Sequence, residues 1–384
     1  MPEVPAHEVA QFDSADHSYM AEAVRLARHG IYSTHPNPNV GCVIVAEGEV
    51  AGRGWHQRAG EPHAEVYALR EAGERARGAT AYVTLEPCSH TGRTPPCADA
   101  LVEAGVARVV IAMQDPNPQV AGRGVARLRE AGIQVESGLM ETQARGLNPG
   151  FISRMERGRP WVRVKLAASL DGRTAMASGE SQWISGPEAR QDVQRLRARS
   201  SAVMTGIGTV LSDDPSLNVR LEPSNLYGVE PLRQPLRVIL DSRLRLSPQA
   251  SLLSLPGEVL VMTVSDDVAA HARLETAGAS VSRVEAIDGQ PSPHAVLQEL
   301  AAREMNEVLL ECGPTLAGAF MAAGLVDELV LYVAPHLMGD GARGLFHLPG
   351  IEHMKARIPL SWQDIRQVGD TLRLTLRPAQ DVTG

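Results

Sequence analysis

Apolar positions in the first part of the chain alternate between a helical period and a strand period. Over Asp16 to His29, Met20, Val24 and Ala27 recur on one helical face, and Gly30 stops the run. Gly41 to Ala46 and Val50 to Gly54 read as two strands around the turn Glu47-Gly48-Glu49. A helix is predicted from about His63 to Arg75, with Val66 and Leu69 on one side. It is followed by a strand at Ala81 to Leu85, a helix from Pro96 to near Gly105, a strand at Arg108 to Met113, a helix at Gly122 to Ala131 and a strand at Ile133 to Ser137. Strands and helices alternating with short connections predict an α/β sandwich around one sheet.

The pattern then breaks. Met140 to Arg159 is polar, rich in arginine and interrupted by Asn148-Pro149-Gly150, which reads as a partly helical connection. We expect a first domain over residues 14–145, a linker over 146–159 and a second domain over 160–380. The second domain opens on an apolar strand, Trp161 to Ala168, and then a turn-rich loop, Ser169 to Ala175. Ser185-Gly186-Pro187-Glu188 has the form of a capping box with proline in the first turn, and Ala189, Val193 and Leu196 give the helix a buried face. Ala202 to Thr205, Leu236 to Leu240, Glu258 to Val264, Val308 to Glu311 and Glu328 to Ala334 are further strands, and Ile365 to Leu376 reads as a closing hairpin around Gly369-Asp370. The whole chain is of the α/β class.

Composition narrows the range of functions. Hydrophobic residues make up 43% of the 384, so real cores can form, but aromatics are only 4%, and the cores must be built from Ala, Val and Leu. The formal net charge is -8, which argues against a long nucleic-acid-binding face. No apolar run approaches the ~18 residues of a membrane span, and the first residues do not show a basic segment followed by an apolar core. We therefore expect a cytoplasmic protein with no membrane and no nucleic-acid partner. Of the four cysteines, Cys42 sits in an apolar strand and reads as a small buried hydrophobe, whereas Cys88 and Cys97 each follow a proline in a polar loop.

Those two cysteines change the picture. With His63 they offer one imidazole and two thiols, a three-ligand set that suits a catalytic zinc with its fourth position open to water. Glu65, two residues after the histidine, is the carboxylate such a water needs as a proton carrier. Zinc in this setting lowers the pKa of its water from ~16 toward ~7. Glu65 would then pass protons to a ring nitrogen and to departing ammonia. His63 and Cys97 fall at helix starts, where the dipole is expected to favour a thiolate at Cys97 and a neutral His63. His-x-Glu alone could be an exposed helix start, and two loop cysteines could be a structural zinc clip; together, and in this order, they point to a hydrolytic deaminase. The common deaminase signature is Cys-x-x-Cys. Here eight residues intervene, from Ser89 to Pro96.

In the second domain, two glycine-containing turns link a strand to a helix, at residues 206–209 and 313–318. Such turns present backbone N–H groups to phosphate, but neither is Gly-x-Gly-x-x-Gly, and plain tight turns fit them equally well. The residues alone support a phosphate-binding α/β domain and no standard Rossmann site.

The motif from Pro87 to Cys97, with His63-Ala64-Glu65 and Asn37-Pro38-Asn39-Val40-Gly41, closely resembles the deaminase half of the bifunctional riboflavin-biosynthesis deaminase–reductases. The segments Val164 to Arg173, Glu180 to Ile184, Asp213-Asp214-Pro215 and Glu311 to Leu316 resemble the reductase half, so the likeness spans nearly the whole chain. It implies a cytidine-deaminase-like α/β/α sandwich followed by a dihydrofolate-reductase-like α/β domain that uses NADPH. It implies that Asn37, His56, His90 and Arg93 face the deaminase substrate, a small pyrimidine ribotide. On the residues alone, Asn37 could be a turn former and His56 an exposed strand end. The resemblance further implies that Ala167, Trp183, Thr209, Asp213, Ser242 and the turn Gly313, Pro314, Thr315, Leu316, Ala317 and Gly318 touch the cofactor. Ser181, Arg197, Leu217, Arg220 and Glu311 would touch the sugar phosphate. Arg197 and Arg220 suit phosphate because guanidinium binds it bidentately, although either could be an ordinary surface cation. Lys165, with Glu311 as rival, is the candidate catalytic residue of the reduction. We expect a homo-oligomer, a dimer or a tetramer. The competing readings are a tRNA or nucleoside base deaminase with an appended nucleotide-binding regulatory domain, and a structural zinc protein.

Overall fold

In the computed structural model, which describes residues 12–89, 96–118 and 120–379, the chain separates into two compact units, Met1–Arg157 and Gly158–Gly384.

The first unit begins with helix α1 (Ser14–Ala27). Its capping box is formed by Asp13 and Asp16, whose side chains reach each other's backbone N–H. Strands β1 (Gly41–Ala46) and β2 (Glu49–Trp55) follow as a hairpin, then helix α2 (Ala64–Ala72), strand β3 (Thr80–Val83), helix α3 (Cys97–Ala104), strand β4 (Arg108–Ile111), helix α4 (Arg123–Glu130), strand β5 (Gln134–Ser137) and helices α5 (Glu141–Leu147) and α6 (Pro149–Arg157). The sheet order is β2-β1-β3-β4-β5, antiparallel on the β2 side and parallel from β3 to β5. Alternate strand residues feed two cores. Ile44, Val83, Val109 and Leu101 pack on one face, and Met20, Val43, Val110 and Phe151 on the other.

The shortage of aromatics is met by close backbone approach. A Cβ on Gly52 would lie 2.1 Å from the Ala68 carbonyl oxygen, and one on Gly54 2.1 Å from that of Ala64. Glycine in the strand and alanine in the helix therefore let α2 lie almost directly on β2, which fixes where the start of α2 points.

The second unit contains β6 (Trp161–Ser169), β7 (Arg173–Ala175), α7 (Pro187–Arg199), β8 (Ala202–Gly206), α8 (Ile207–Asp213), β9 (Leu236–Leu240), β10 (Val259–Thr263), α9 (Val268–Thr276), β11 (Ser280–Arg283), the short pair β12 (Ala286–Ile287) and β13 (Gln290–Pro291), α10 (Pro293–Ala302), β14 (Glu307–Glu311), α11 (Pro314–Ala322), β15 (Glu328–Ala334), β16 (Arg343–Gly344), β17 (Leu360–Val368) and β18 (Thr371–Pro378). Nine strands form one sheet in the order β11-β10-β9-β8-β14-β6-β15-β18-β17. The strands from β11 through β15 are parallel, and the hairpin β17–β18 adds an antiparallel edge. A core covers each face, one around Val164, Leu310 and Phe320, the other around Val203, Ile239 and Leu309.

Some local expectations change. Residues 149–157 form helix α6, whose Phe151 and Ile152 are buried in the first unit's core, so most of the segment expected as a linker is structural. The box expected at Ser185 does not form. Gly186 is the N-cap of α7, no side chain caps it, and the Ser185 carbonyl accepts from Arg190 Nη1 at 2.8 Å. Proline at the next position already fixes the helix start and has no N–H to satisfy. The loop expected over residues 169–175 ends in β7, which pairs with β16. Gly206 passes directly into α8, and β3 ends at Val83, well before Cys88.

Candidate active sites

The first unit gathers its reactive groups at two helix starts. His63 is the N-cap of α2, in extended conformation, and Cys97 is the first residue of α3. Cys88 is held on the loop after β3. Its carbonyl accepts from the Ala98 N–H at 3.1 Å and its sulfur from the Cys97 N–H at 3.4 Å. His63 Nδ1 lies 3.2 Å from Cys97 Sγ and 3.6 Å from Cys88 Sγ. The three ligand atoms are within 4.8 Å of one another. Glu65, in the first turn of α2, is buried, and its Oε2 has no hydrogen-bond partner. A fully desolvated, unpartnered carboxylate oxygen beside two sulfurs and an imidazole is costly unless something polar occupies the space it faces. The donor set and the unpartnered oxygen fit a zinc ion and its water.

The electrostatics tie the two thiols, the imidazole and Glu65 together. The two thiols titrate as one pair, in which the hydrogen bond between their sulfurs favours a single thiolate. The Cys97 thiol, then His63 and the Cys97 N–H, outweigh burial and hold Cys88 at about 4. Cys97 is pushed up by its bond to Cys88 and by burial. His63 is raised, since the Cys88 sulfur outweighs burial, so the helix start does not by itself keep it neutral. Glu65 is raised by burial, with Cys88 adding and His63 opposing.

Two further predicted residues meet this cluster. His56 is 2% exposed, which removes the exposed-strand-end reading. Its Nδ1 donates to the Pro62 carbonyl at 3.1 Å, since a carbonyl can only accept, and its Nε2 accepts from Asn37 Nδ2 at 3.0 Å. Burial lowers its pKa, and its ring meets that of His63 edge-on at 5.2 Å. His90 and Arg93 lie outside the described residues.

One contributor is hard to see in the sequence. Asn148, between α5 and α6, pairs with the Asn39 backbone in both directions: the Asn39 N–H donates to Oδ1 at 2.6 Å, and Nδ2 donates to the Asn39 carbonyl at 2.9 Å. This pins the loop that carries Asn37. No local pattern marks it, because its partner lies over a hundred residues away.

In the second unit the candidates lie along the carboxyl ends of β9, β8, β14 and β6, consecutive strands of the sheet and the usual ligand edge of a parallel α/β sheet. Ser242 follows β9 and is buried. Gly206 ends β8 and caps α8, which carries Thr209 and, at its exposed end, Asp213. Gly313 caps α11, with Pro314 in its first position and Thr315, Leu316, Ala317 and Gly318 in the turns that follow. Neither helix start has a side-chain cap. A Cβ on Gly206 would touch Leu316 at 3.4 Å, so the two turns are neighbours, while one on Gly208 or Gly313 would meet nothing within 4 Å. Uncapped N–H groups opening on free space fit the phosphates of a dinucleotide.

Lys165 on β6 stands in register with Glu311 on β14 and Val330 on β15. Its ammonium lies 5.9 Å from the Tyr332 ring centroid, and Tyr332 is the register partner of Ala167. Arg197 on α7 binds Glu311 through Nε and Nη2 at 2.6 and 2.9 Å, and its Nη1 donates to the Asn218 carbonyl at 3.0 Å. Arg197 is therefore a buried ion-pair partner of Glu311, not a surface cation. Burial lowers Lys165, with Arg197 adding and Glu311 opposing. Glu311 is lowered, since Arg197, Lys165 and Arg220 outweigh its burial. Arg220 is exposed and donates to Ser216 Oγ at 2.7 Å, and the neighbouring Leu217 is buried with φ 51°. Ser181 is half-buried, and Trp183, 70% exposed, lies under the Arg190 guanidinium at 4.6 Å. No described contact brings these last two against the strand-end row.

Comparisons with known proteins agree with this division. Residues 13–113 match the cytidine and deoxycytidylate deaminase zinc-binding region, and residues 160–372 match the RibD C-terminal domain. The riboflavin biosynthesis protein RibD of Escherichia coli is 53% identical over 366 residues, covering 94% of this chain and 99% of that protein. That of Haemophilus influenzae is 50% identical over 375 residues, covering 96% and 99%. A solved structure of Acinetobacter baumannii RibD superposes with a TM-score of 0.88 at 49% identity over 95% of this chain and 99% of that one. The Thermotoga maritima diaminohydroxyphosphoribosylaminopyrimidine deaminase/5-amino-6-(5-phosphoribosylamino)uracil reductase superposes with a TM-score of 0.82 at 32% identity, over 95% and 99%. The first unit has the cytidine-deaminase-like fold and uses zinc; the second has the dihydrofolate-reductase-like fold and uses NADPH. The chain belongs to the RibD family and is a bifunctional deaminase and reductase of riboflavin biosynthesis.

Proposed function

We propose that the first unit deaminates 2,5-diamino-6-(5-phospho-ribosylamino)pyrimidin-4(3H)-one, and that the second reduces the ribosyl group of 5-amino-6-(5-phosphoribosylamino)uracil to ribityl. The boundary between the two activities lies at the end of the segment 146–159, after Arg157. The observation that carries the first half is the buried, unpartnered Glu65 Oε2 beside His63, Cys88 and Cys97. Those three side chains hold the zinc, which when bound lowers the pKa of water and so supplies the nucleophile. Glu65 takes a proton at Oε2 and returns it to the ring nitrogen and to the leaving ammonia. Burial raises its pKa, which suits a group that must both accept and donate near neutrality. His56, neutral and fixed by Pro62, keeps Asn37 in place, and the Asn37 amide orients the pyrimidine. His90 and Arg93 complete the substrate side in this reading.

For the second unit, bound NADPH would supply the hydride that the reduction of ribose C1′ requires. The backbone N–H groups of Gly313, Thr315 and Leu316 in the turn Gly313 to Gly318, and those at the start of α8, would hold its phosphates, with Ala167, Trp183, Thr209, Asp213 and Ser242 along its length. Lys165, as the ammonium, would give a proton to the ring oxygen as the ring opens and be left as the neutral amine: burial lowers its pKa and makes it a readier acid, while the Glu311 carboxylate beside it favours the protonated form. Arg220, which is exposed, binds the substrate phosphate in this reading, together with Ser181 and Leu217. Arg197 acts through Glu311.

The assembly is proposed to be a homo-oligomer, a dimer or a tetramer. The outermost strand β17 leaves Trp362 and Ile365 60% and 57% exposed on an unpaired edge, a surface a second copy can cover. No helix among the described residues is long and apolar enough to cross a membrane. The free thiols and the net charge of -8 support a cytoplasmic protein without a nucleic-acid partner.

A coupled assay on the diaminopyrimidinone ribotide, following ammonia and NADPH separately, tests this reading. Ammonia release without NADPH, and NADPH oxidation only after it, support the assignment. Activity on tRNA but not on the free ribotide would overturn it.

A further inference from the structure

Glu86 lies two residues before Cys88 and is 3% exposed. Its carboxylate accepts four backbone N–H groups. Oε2 takes those of Asp115 at 3.3 Å and Gly122 at 3.0 Å, and Oε1 those of Gly124 at 3.0 Å and Val125 at 3.2 Å. Three of these belong to the start of α4, whose N-cap Gly122 has no side chain to do the work. Glu86 therefore caps α4 from outside, where the helix dipole favours negative charge. The fit is close on the other side as well. A Cβ on Gly124 would lie 2.0 Å from the Pro87 carbonyl oxygen, so the peptide leading into Cys88 rests directly on the α4 backbone.

We infer that Glu86 is a positioning residue of the zinc site, which fixes the Cys88 sulfur by clamping its loop to the start of α4. Among the described residues, and besides the approach of His63 to the sulfur, two sets of contacts restrain the Cys88 loop. One runs forward to α3, through the Cys88 carbonyl and sulfur. The other runs backward through Glu86. With the Glu86 carboxylate removed, the sulfur keeps its contacts to α3 and the Glu86 N–H keeps its bond to the Met113 carbonyl, but the loop loses its hold on the start of α4. The inference rests on the zinc reading above and deepens it.

Glu86→Gln is nearly isosteric, but it replaces one accepting oxygen with an NH2 that faces N–H donors. In the full-length protein we measure zinc affinity by competition with a chromophoric chelator, next to the wild type and to His63→Ala. The expected result is a zinc dissociation constant raised ~10- to 100-fold over wild type, with NADPH oxidation by the second unit unchanged. Gly124→Ala, which pushes on the same peptide from the other side, should shift it in the same direction. Unchanged zinc affinity in a folded Glu86→Gln protein would overturn the inference while leaving the zinc reading intact. A first unit that no longer folds would also overturn it, by assigning Glu86 to folding. If His63→Ala binds zinc as the wild type does, the zinc reading itself fails.

Discussion

The two units place their chemistry in opposite ways. In the first, the candidate groups are few and of special type: two sulfurs and an imidazole whose ligand atoms lie within 4.8 Å of one another, and one orphaned carboxylate oxygen. In the second, the candidate groups are common types that mostly satisfy one another. Arg197 neutralises Glu311, Glu311 offsets the burial of Lys165, and the cofactor turn offers backbone alone. A metal site demands particular side chains and leaves them exposed to loss. A phosphate-and-hydride site can be built from helix starts and buried ion pairs, and its catalytic groups also contribute to the fold.

That contrast can be broken by substitution. The largest effect is expected at Glu65→Gln. Removing a proton carrier should lower the deaminase kcat ~10²- to 10⁴-fold, with zinc content unchanged and NADPH oxidation unchanged when the already deaminated intermediate is supplied; loss of both activities on their own substrates would show that the units are not independent. Next is Glu311→Ala, which leaves Arg197 as a buried cation without its carboxylate. It should cost the second unit about 3–5 kcal/mol of stability as well as activity, readable as a shift of its urea transition alone. Gly54→Ala should destabilise only the first unit, by about 1–3 kcal/mol, because the new methyl forces α2 off β2.

The smallest effect concerns acid. Arg108 outweighs burial and, with Tyr82, holds Asp16 at about 2; in the second unit, burial pushes Glu307 up, but Arg199 and Arg163 together hold it at about 2. Both values lie below the ordinary 3.8 and 4.5. The unfolded chain therefore binds more protons, and each contribution is complete above the ordinary value and lost as pH falls toward 2. Urea midpoints measured between pH 5 and 2 should fall for both units. A flat profile in either would remove its ion pair from the account.

The same difference explains what could be read in advance. Cys88, Cys97, His63 and Glu65 are legible because few other roles suit thiols after prolines in a polar loop. The strands are legible from their apolar runs, as in Val308 to Glu311. Glu86 and Asn148 are not, because both act on backbone groups brought near only by the fold, and a lone Glu or Asn has no local pattern. Ser185 misleads for a related reason: its box spacing is right, but Gly186 and Pro187 start the helix one residue later. Arg197 looks like one of several arginines on α7 until the sheet brings Glu311 opposite it.

The central claim is that His63, Cys88 and Cys97 hold a zinc ion whose remaining position faces Glu65. X-ray absorption at the zinc edge of the purified protein tests it most directly. The account predicts two sulfur scatterers at ~2.3 Å and two lighter ones at ~2.0–2.1 Å, one of the latter exchangeable with added anions. A shell of four protein ligands, or one without sulfur, would contradict it.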